Sequence, residues 1–173
     1  YAILAAAMYT SISEFLKDWE YEAESTKKVF ANLTDASLEQ RVTPGGRSLG
    51  ILAWHIASTI PEMMHRAGLP VAGPKDGAPR PANAAAIGEA YETAAASLAE
   101  LLQNQWTDGV LRESVNMYGQ DWKKGVVLSS LIFHQCHHRA QMTVLMRQAG
   151  LKVPGVYGPS REEWEAHGMT AQE

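Results

Sequence analysis

The chain carries a single cysteine, Cys136, among its 173 residues. An intrachain disulfide is therefore excluded, and one unpaired thiol fits a reducing cytoplasm. Basic clusters are missing as well. The net charge is −4 and no Lys/Arg stripe stands out, which excludes a bulk electrostatic grip on nucleic acid. No apolar run approaches the roughly 18 residues that a membrane span needs. The opening "YAILAAAMYTS" is apolar but short, and it lacks the basic n-region of a signal peptide. Residues 1–7 read as a non-native extension, with Met8 as a candidate start. A Gly-rich phosphate loop, a Gly-x-Ser-x-Gly elbow and a Cys-x-x-Cys pair are all lacking, as are internal repeats and low-complexity tracts.

What is there is helix. Apolar residues make up 46% of the chain and charged ones 20%, the balance of an ordinary globular fold. The length suits one domain spanning residues 1–173. Ile12, Phe15, Leu16, Trp19, Ala23 and Phe30 recur at three- and four-residue steps, which predicts a helix over about 9–33. Ser48 is an N-cap for "LGILAWHIASTIPEMMHRAG", which Gly68 and Pro70 close. Pro61 lies inside and removes the hydrogen bond to Ala57, so a kink is expected there. A third helix starts near Asn83 and ends before "TDG" at 107–109. A fourth runs over about 122–149, with Gly150 as its stop. A short terminal helix fits "SREEWEAHG". Four amphipathic helices of this length predict an all-α four-helix bundle.

The connection at 69–82 is Pro/Gly-rich and about 14 residues long, so extended it spans roughly 46 Å. A helix of about 19 residues is only about 28 Å long. The loop can return along the bundle, so the second and third helices need not be antiparallel.

"LIFHQCHHRAQ", residues 131–141, places three of the six histidines within five positions. At about 100° per residue, His134 and His138 share one face with Val127, Leu131 and Leu145, while Cys136 points to the far side. Two imidazoles at i and i+4 can bind one metal ion. His55 lies mid-helix on the inward stripe of the second helix and is the natural third ligand. Three histidines would leave positions open on the ion, as catalytic sites do. Neutral imidazoles suit zinc or nickel first, with iron, manganese or copper as alternatives.

Thr59 and Glu62 fall on the His55 face and Gln141 on the His134 face. They are candidate substrate-binding or supporting residues, together with Tyr118 and Trp122 of the loop "VNMYGQDWKKG". That loop equally reads as an aromatic cover for the bundle's end. His137 is expected beside the cluster rather than as a ligand, and His65 and His167 are expected to be exposed. "EMMH" has the Glu-x-x-His form of di-iron bundles but stands alone, so that site is not expected.

The blocks "RSLGILAWHIAS", "YGQDW" and "FHQCHHRAQMTVLMRQAGLKVPGVYGP" resemble the DinB/YfiT-like superfamily of metal-binding helical bundles, over nearly the whole chain. The resemblance implies up-down-down-up helix order with a long crossover between the second and third helices. It implies a site of His55, His134 and His138, and a homodimer. Ala140 stands where the family's usual glycine follows "HHR". For function, it implies a divalent-metal-dependent S-transferase that activates a low-molecular-weight thiol against a small-molecule electrophile. The alternatives are a metal-dependent hydrolase using a metal-activated water, and a non-catalytic metal-binding stress protein.

Overall fold

The computed structural model describes residues 9–170; the extension expected at 1–7, with the start at Met8, lies outside them. Four helices carry the fold: α1 (Ile12–Phe30), α2 (Leu49–Arg66), α3 (Ala84–Gln105) and α4 (Lys124–Gln148). The starts of α2 and α3 and the ends of α2 and α4 are set locally. The Ser48 hydroxyl accepts from the Ile51 amide at 3.2 Å, and Asn83 Oδ1 accepts from the Ala86 amide at 2.8 Å. Both relieve amides that a helix start leaves unpaired. At the C-terminus of α2, Gly68 (φ 86) donates to the His65 carbonyl and Leu69 to Met64. Gly150 (φ 73) and Leu151 repeat the pattern on Arg147 and Met146 after α4. Both are Schellman stops, for which the left-handed backbone favours glycine.

The helices are ordered up-down-down-up. The amide of Ala84, opening α3, donates to Asp35 just past the end of α1, and Gly50, opening α2, donates to Leu38. So α2 and α3 both start where α1 ends. At the other pole, Ile12 at the start of α1 donates to Asp108 beyond α3, and Tyr9 donates to Gly125 in the first turn of α4. The crossover of residues 67–83 makes this order attainable. It runs back along α2: Trp54 Nε1 donates to the Ala78 carbonyl at 3.0 Å, and His65 Nε2 meets the Val71 carbonyl at 2.8 Å. Gly73 (φ 144) passes so close that a Cβ there would lie 3.0 Å from Ala94 Cβ and 3.2 Å from Pro61 Cγ. α2 continues through Pro61 to Arg66, and the proline ring faces the crossover.

The core between the helices includes Phe15, Trp19, Leu52, Ile56, Ile60, Leu98, Leu131 and Leu145, all nearly inaccessible. Among the described residues, no helix is long and apolar enough to cross a membrane.

The segment read as a loop and the start of a helix at Trp122 is instead a β-hairpin. β1 (Ser114–Met117) pairs antiparallel with β2 (Gln120–Lys123), with Val115 opposite Trp122. Tyr118 (φ 55) and Gly119 (φ 83) both have positive φ, as a two-residue turn matched to strand twist requires. α4 consequently begins at Lys124. The "SREEWEAHG" helix reduces to a single 3-10 turn, Glu165–His167, on which His167 is exposed.

Candidate metal centre

α2 and α4 pack side by side and bring their mid-helix histidines together. The ring centroids of His55, His134 and His138 lie 4.4–4.7 Å apart. Each offers a nitrogen, and all three nitrogens fall within 4.8 Å of one another. Nε2 of His134 is 3.0 Å from Nε2 of His55. Two lone-pair nitrogens this close either share a proton or serve one ion.

Neighbours set which nitrogen faces inward. The Thr59 hydroxyl donates to the His55 carbonyl at 2.7 Å and turns its oxygen toward His55 Nδ1 at 3.5 Å. Gln141 Oε1 accepts from His138 Nδ1 at 2.8 Å, and its amide nitrogen donates to His137 Nε2 at 3.1 Å. A proton held on Nδ1 leaves the Nε2 lone pair free for the centre of the cluster.

The electrostatics favour neutral rings. Burial lowers the pKa of His55 to about 4 and that of His134 to about 3. The charges of neighbouring histidines and of Arg47 add to both. His138 is lowered chiefly by burial, against the opposing effect of the hydrogen bond it donates to Gln141 Oε1. Three neutral imidazoles are what a divalent transition metal needs at neutral pH. His55, His134 and His138 are therefore positioned to hold a metal ion, and their donor chemistry fits one.

Two cavities flank the cluster. One, of about 350 Å³, is walled by Trp54, His55, Ser58, Thr59, Glu62 and the crossover at Lys75–Ala78. The other, of about 520 Å³, lies on the His138 side and includes Arg47, His137, Gln141 and Leu145. Thr59 and Glu62 thus line the first, and Gln141 the second. Glu62 is fully engaged: Oε1 accepts from Arg66 Nε at 2.7 Å, and Oε2 from the Tyr118 hydroxyl at 2.9 Å. That contact carries Tyr118 to the edge of the site from the hairpin turn. Burial, then the Glu62 hydrogen bond, push the Tyr118 phenol well above its ordinary pKa. Trp122 stacks edge-on against Tyr118 at 6.0 Å and lines neither cavity.

Cys136 lies on the far side of α4, as its helical angle predicts. Its Sγ is 2.8 Å from the Tyr157 hydroxyl and 3.4 Å from Glu22 Oε2, and burial raises its pKa. It edges a polar network in which Glu22 and Arg139 are buried and Tyr157 is exposed. Arg47 lines the second cavity yet belongs to no motif of the sequence. No spacing signals it, because its loop is irregular.

The DinB family matches residues 8–173. The uncharacterized protein YrdA of Bacillus subtilis (strain 168) is 44% identical over 164 residues, covering 95% of this chain and 98% of that one. A crystal structure of a DinB-like protein from Bacillus cereus ATCC 10987 superposes with a TM-score of 0.83 at 45% identity, covering 87% of this chain and all (100%) of that one. The DinB-like protein YjoA from Bacillus subtilis shares the fold alone: its TM-score is 0.63 at 13% identity, over 83% of this chain and 97% of that one. The matched length, the shared helical architecture and the histidine cluster lead to one assignment: the chain belongs to the DinB family.

Proposed function

We propose that this protein is a divalent-metal enzyme that transfers a low-molecular-weight thiol onto an electrophilic small molecule. His55, His134 and His138 would hold the ion through Nε2, with zinc or nickel the best match to three imidazoles. When bound, the ion lowers the pKa of a thiol so that the thiolate is available at neutral pH. The chain's own residues then have defined tasks. Thr59 and Gln141 keep the His55 and His138 protons on Nδ1. The two flanking cavities supply room for the thiol and for its acceptor.

The observation that carries this reading over hydrolysis is the state of Glu62. It is the acid whose charge bears on His55, and both its oxygens are committed, to Arg66 and to Tyr118. A carboxylate so held is a poor general base for activating water. A thiolate, in contrast, needs no base once its pKa is lowered.

The test is elemental analysis of purified, metal-reconstituted protein beside His55→Ala and His138→Ala. About one ion per wild-type chain, lost in both variants, is expected for a site shared by two helices. Thiol-dependent consumption of an alkylating dye, abolished in the same variants, completes the reading. Turnover of an ester without added thiol would replace it with a hydrolase. Metal-free protein after reconstitution would end it.

A further inference from the structure

The larger cavity beside His138 has an asymmetric wall. Arg47, His137 and Gln141 give it a polar side, Val144 and Leu145 an apolar side, and no Asp or Glu among the described residues lines it. Arg47 is exposed, and among the described residues it has no ion-pair or hydrogen-bond partner. The acid nearest in sequence is already taken, since Glu39 pairs with both Arg41 and Arg80. The loop that presents Arg47 is tied down: Arg41 Nη1 donates to the Gly46 carbonyl at 2.6 Å, and the Gly46 amide donates to Thr43 at 2.9 Å. The guanidinium lies close enough that its charge lowers the pKa of all three clustered histidines.

A cation beside a metal centre is unfavourable for binding the ion itself. It becomes favourable when an anion enters. The backbone does not supply this role, although α2 begins next door. The amides of Leu49, Gly50 and Ile51 already donate to Gln40, Leu38 and Ser48. The guanidinium is what remains free, and its fork of donors matches a carboxylate.

We infer that Arg47 is the specificity residue for the thiol: it clamps a carboxylate on a small thiol whose sulfur reaches the histidine cluster and whose aliphatic stem lies along Val144 and Leu145. This rests on the function proposed above and names the class of thiol that the site selects. A neutral thiol of equal length is taken up more weakly, because it offers the guanidinium no charge-assisted hydrogen bonds.

Cobalt(II)-loaded protein is titrated with ω-mercaptocarboxylates of increasing chain length and with the ω-mercaptoalcohol of each length. The thiolate-to-cobalt absorption band reports occupancy without any turnover. Wild-type protein is expected to prefer the acid at one chain length by about three- to five-fold, the upper end for one exposed ion pair. Arg47→Gln should lose that preference while keeping its cobalt content and its affinity for the alcohol. Arg47→Lys should keep part of it. A preference that survives Arg47→Gln, or a wild-type protein indifferent to the carboxylate, overturns the inference and leaves the metal site standing. Cobalt bound with no thiol taken up overturns thiol chemistry and the inference together. Failure to load cobalt overturns the proposed function itself.

Discussion

Removing the carboxylate of Glu22 should destabilise this protein more than almost any other single change outside the apolar core. Arg139 is only 2% exposed, and the Glu22 carboxylate is the anion that meets its guanidinium. Nη1 donates to the Glu22 carbonyl and to Thr26 Oγ1, both at 3.0 Å, and Nη2 donates to Glu22 Oε2 at 2.7 Å. Tyr157 closes the network, accepting from Arg139 Nη2 and donating to Glu22 Oε1, each at 2.7 Å. The Glu22 side chain is 10% exposed, so water cannot replace it. Glu22→Ala leaves a buried cation with no counter-ion, which costs about 3–5 kcal/mol. Total stability for a domain is about 5–15 kcal/mol. With a urea dependence of about 2 kcal/mol per molar, a 4 kcal/mol loss lowers the unfolding midpoint by about 2 M. Urea titration followed by far-UV circular dichroism reads this directly. The charge argument carries a sharper corollary. The double variant Glu22→Leu/Arg139→Met should be more stable than Glu22→Ala, because replacing both charges with apolar groups is often near neutral. A midpoint drop below about 0.5 M for Glu22→Ala, or a double variant weaker than the single, would refute the reasoning.

Gln141→Ala removes the acceptor that holds the His138 proton on Nδ1, so metal affinity should fall about 10- to 100-fold, read by competition with a chromophoric chelator. The metal-free protein should lose stability as pH falls. His55 and His134 titrate near 4 and 3 when folded but near about 6.5 when unfolded. The unfolded chain therefore binds more protons in that window. The stability is fully present above about pH 6.5 and drains away toward pH 4. Urea midpoints across this range should fall less steeply in His55→Gln/His134→Gln, and equal slopes would count against the assignment. Gly73→Ala forces a Cβ to 3.0 Å from Ala94 in a backbone region that side chains disfavour. A loss of about 1–3 kcal/mol in thermal or urea unfolding is expected.

Much of the bundle is legible in the chain because helix formation is local. Ser48, Asn83, Gly68 and Gly150 act as caps and stops through bonds to residues within five positions, and the apolar stripes repeat at the helical period. The hairpin escaped because its turn is Tyr118–Gly119 rather than Asn–Gly. A tyrosine with φ 55 is tolerated only where tertiary contacts compensate. Here Glu62 holds the hydroxyl and Arg66 lies 5.2 Å from the ring centroid. Those partners lie on α2, so no local pattern announces them. Glu62 likewise reads as a free acid near His55 until the fold shows both its oxygens occupied.

By itself, the sequence determined the helices, their breaks and the angle at which His134 and His138 share a face, since 3.6 residues per turn is a property of the backbone. His55 could be named from its inward, mid-helix position. Only the tertiary structure decided that its Nε2 would lie 3.0 Å from His134, 79 residues away. It also decided that Thr59 and Gln141 would orient the cluster, that Glu22 and Arg139 would pair across 117 residues, and that Arg47 would stand beside the site with no partner among the described residues. Such pairings depend on how whole helix faces pack. Packing is a sum over the entire core, and no short window of sequence contains it.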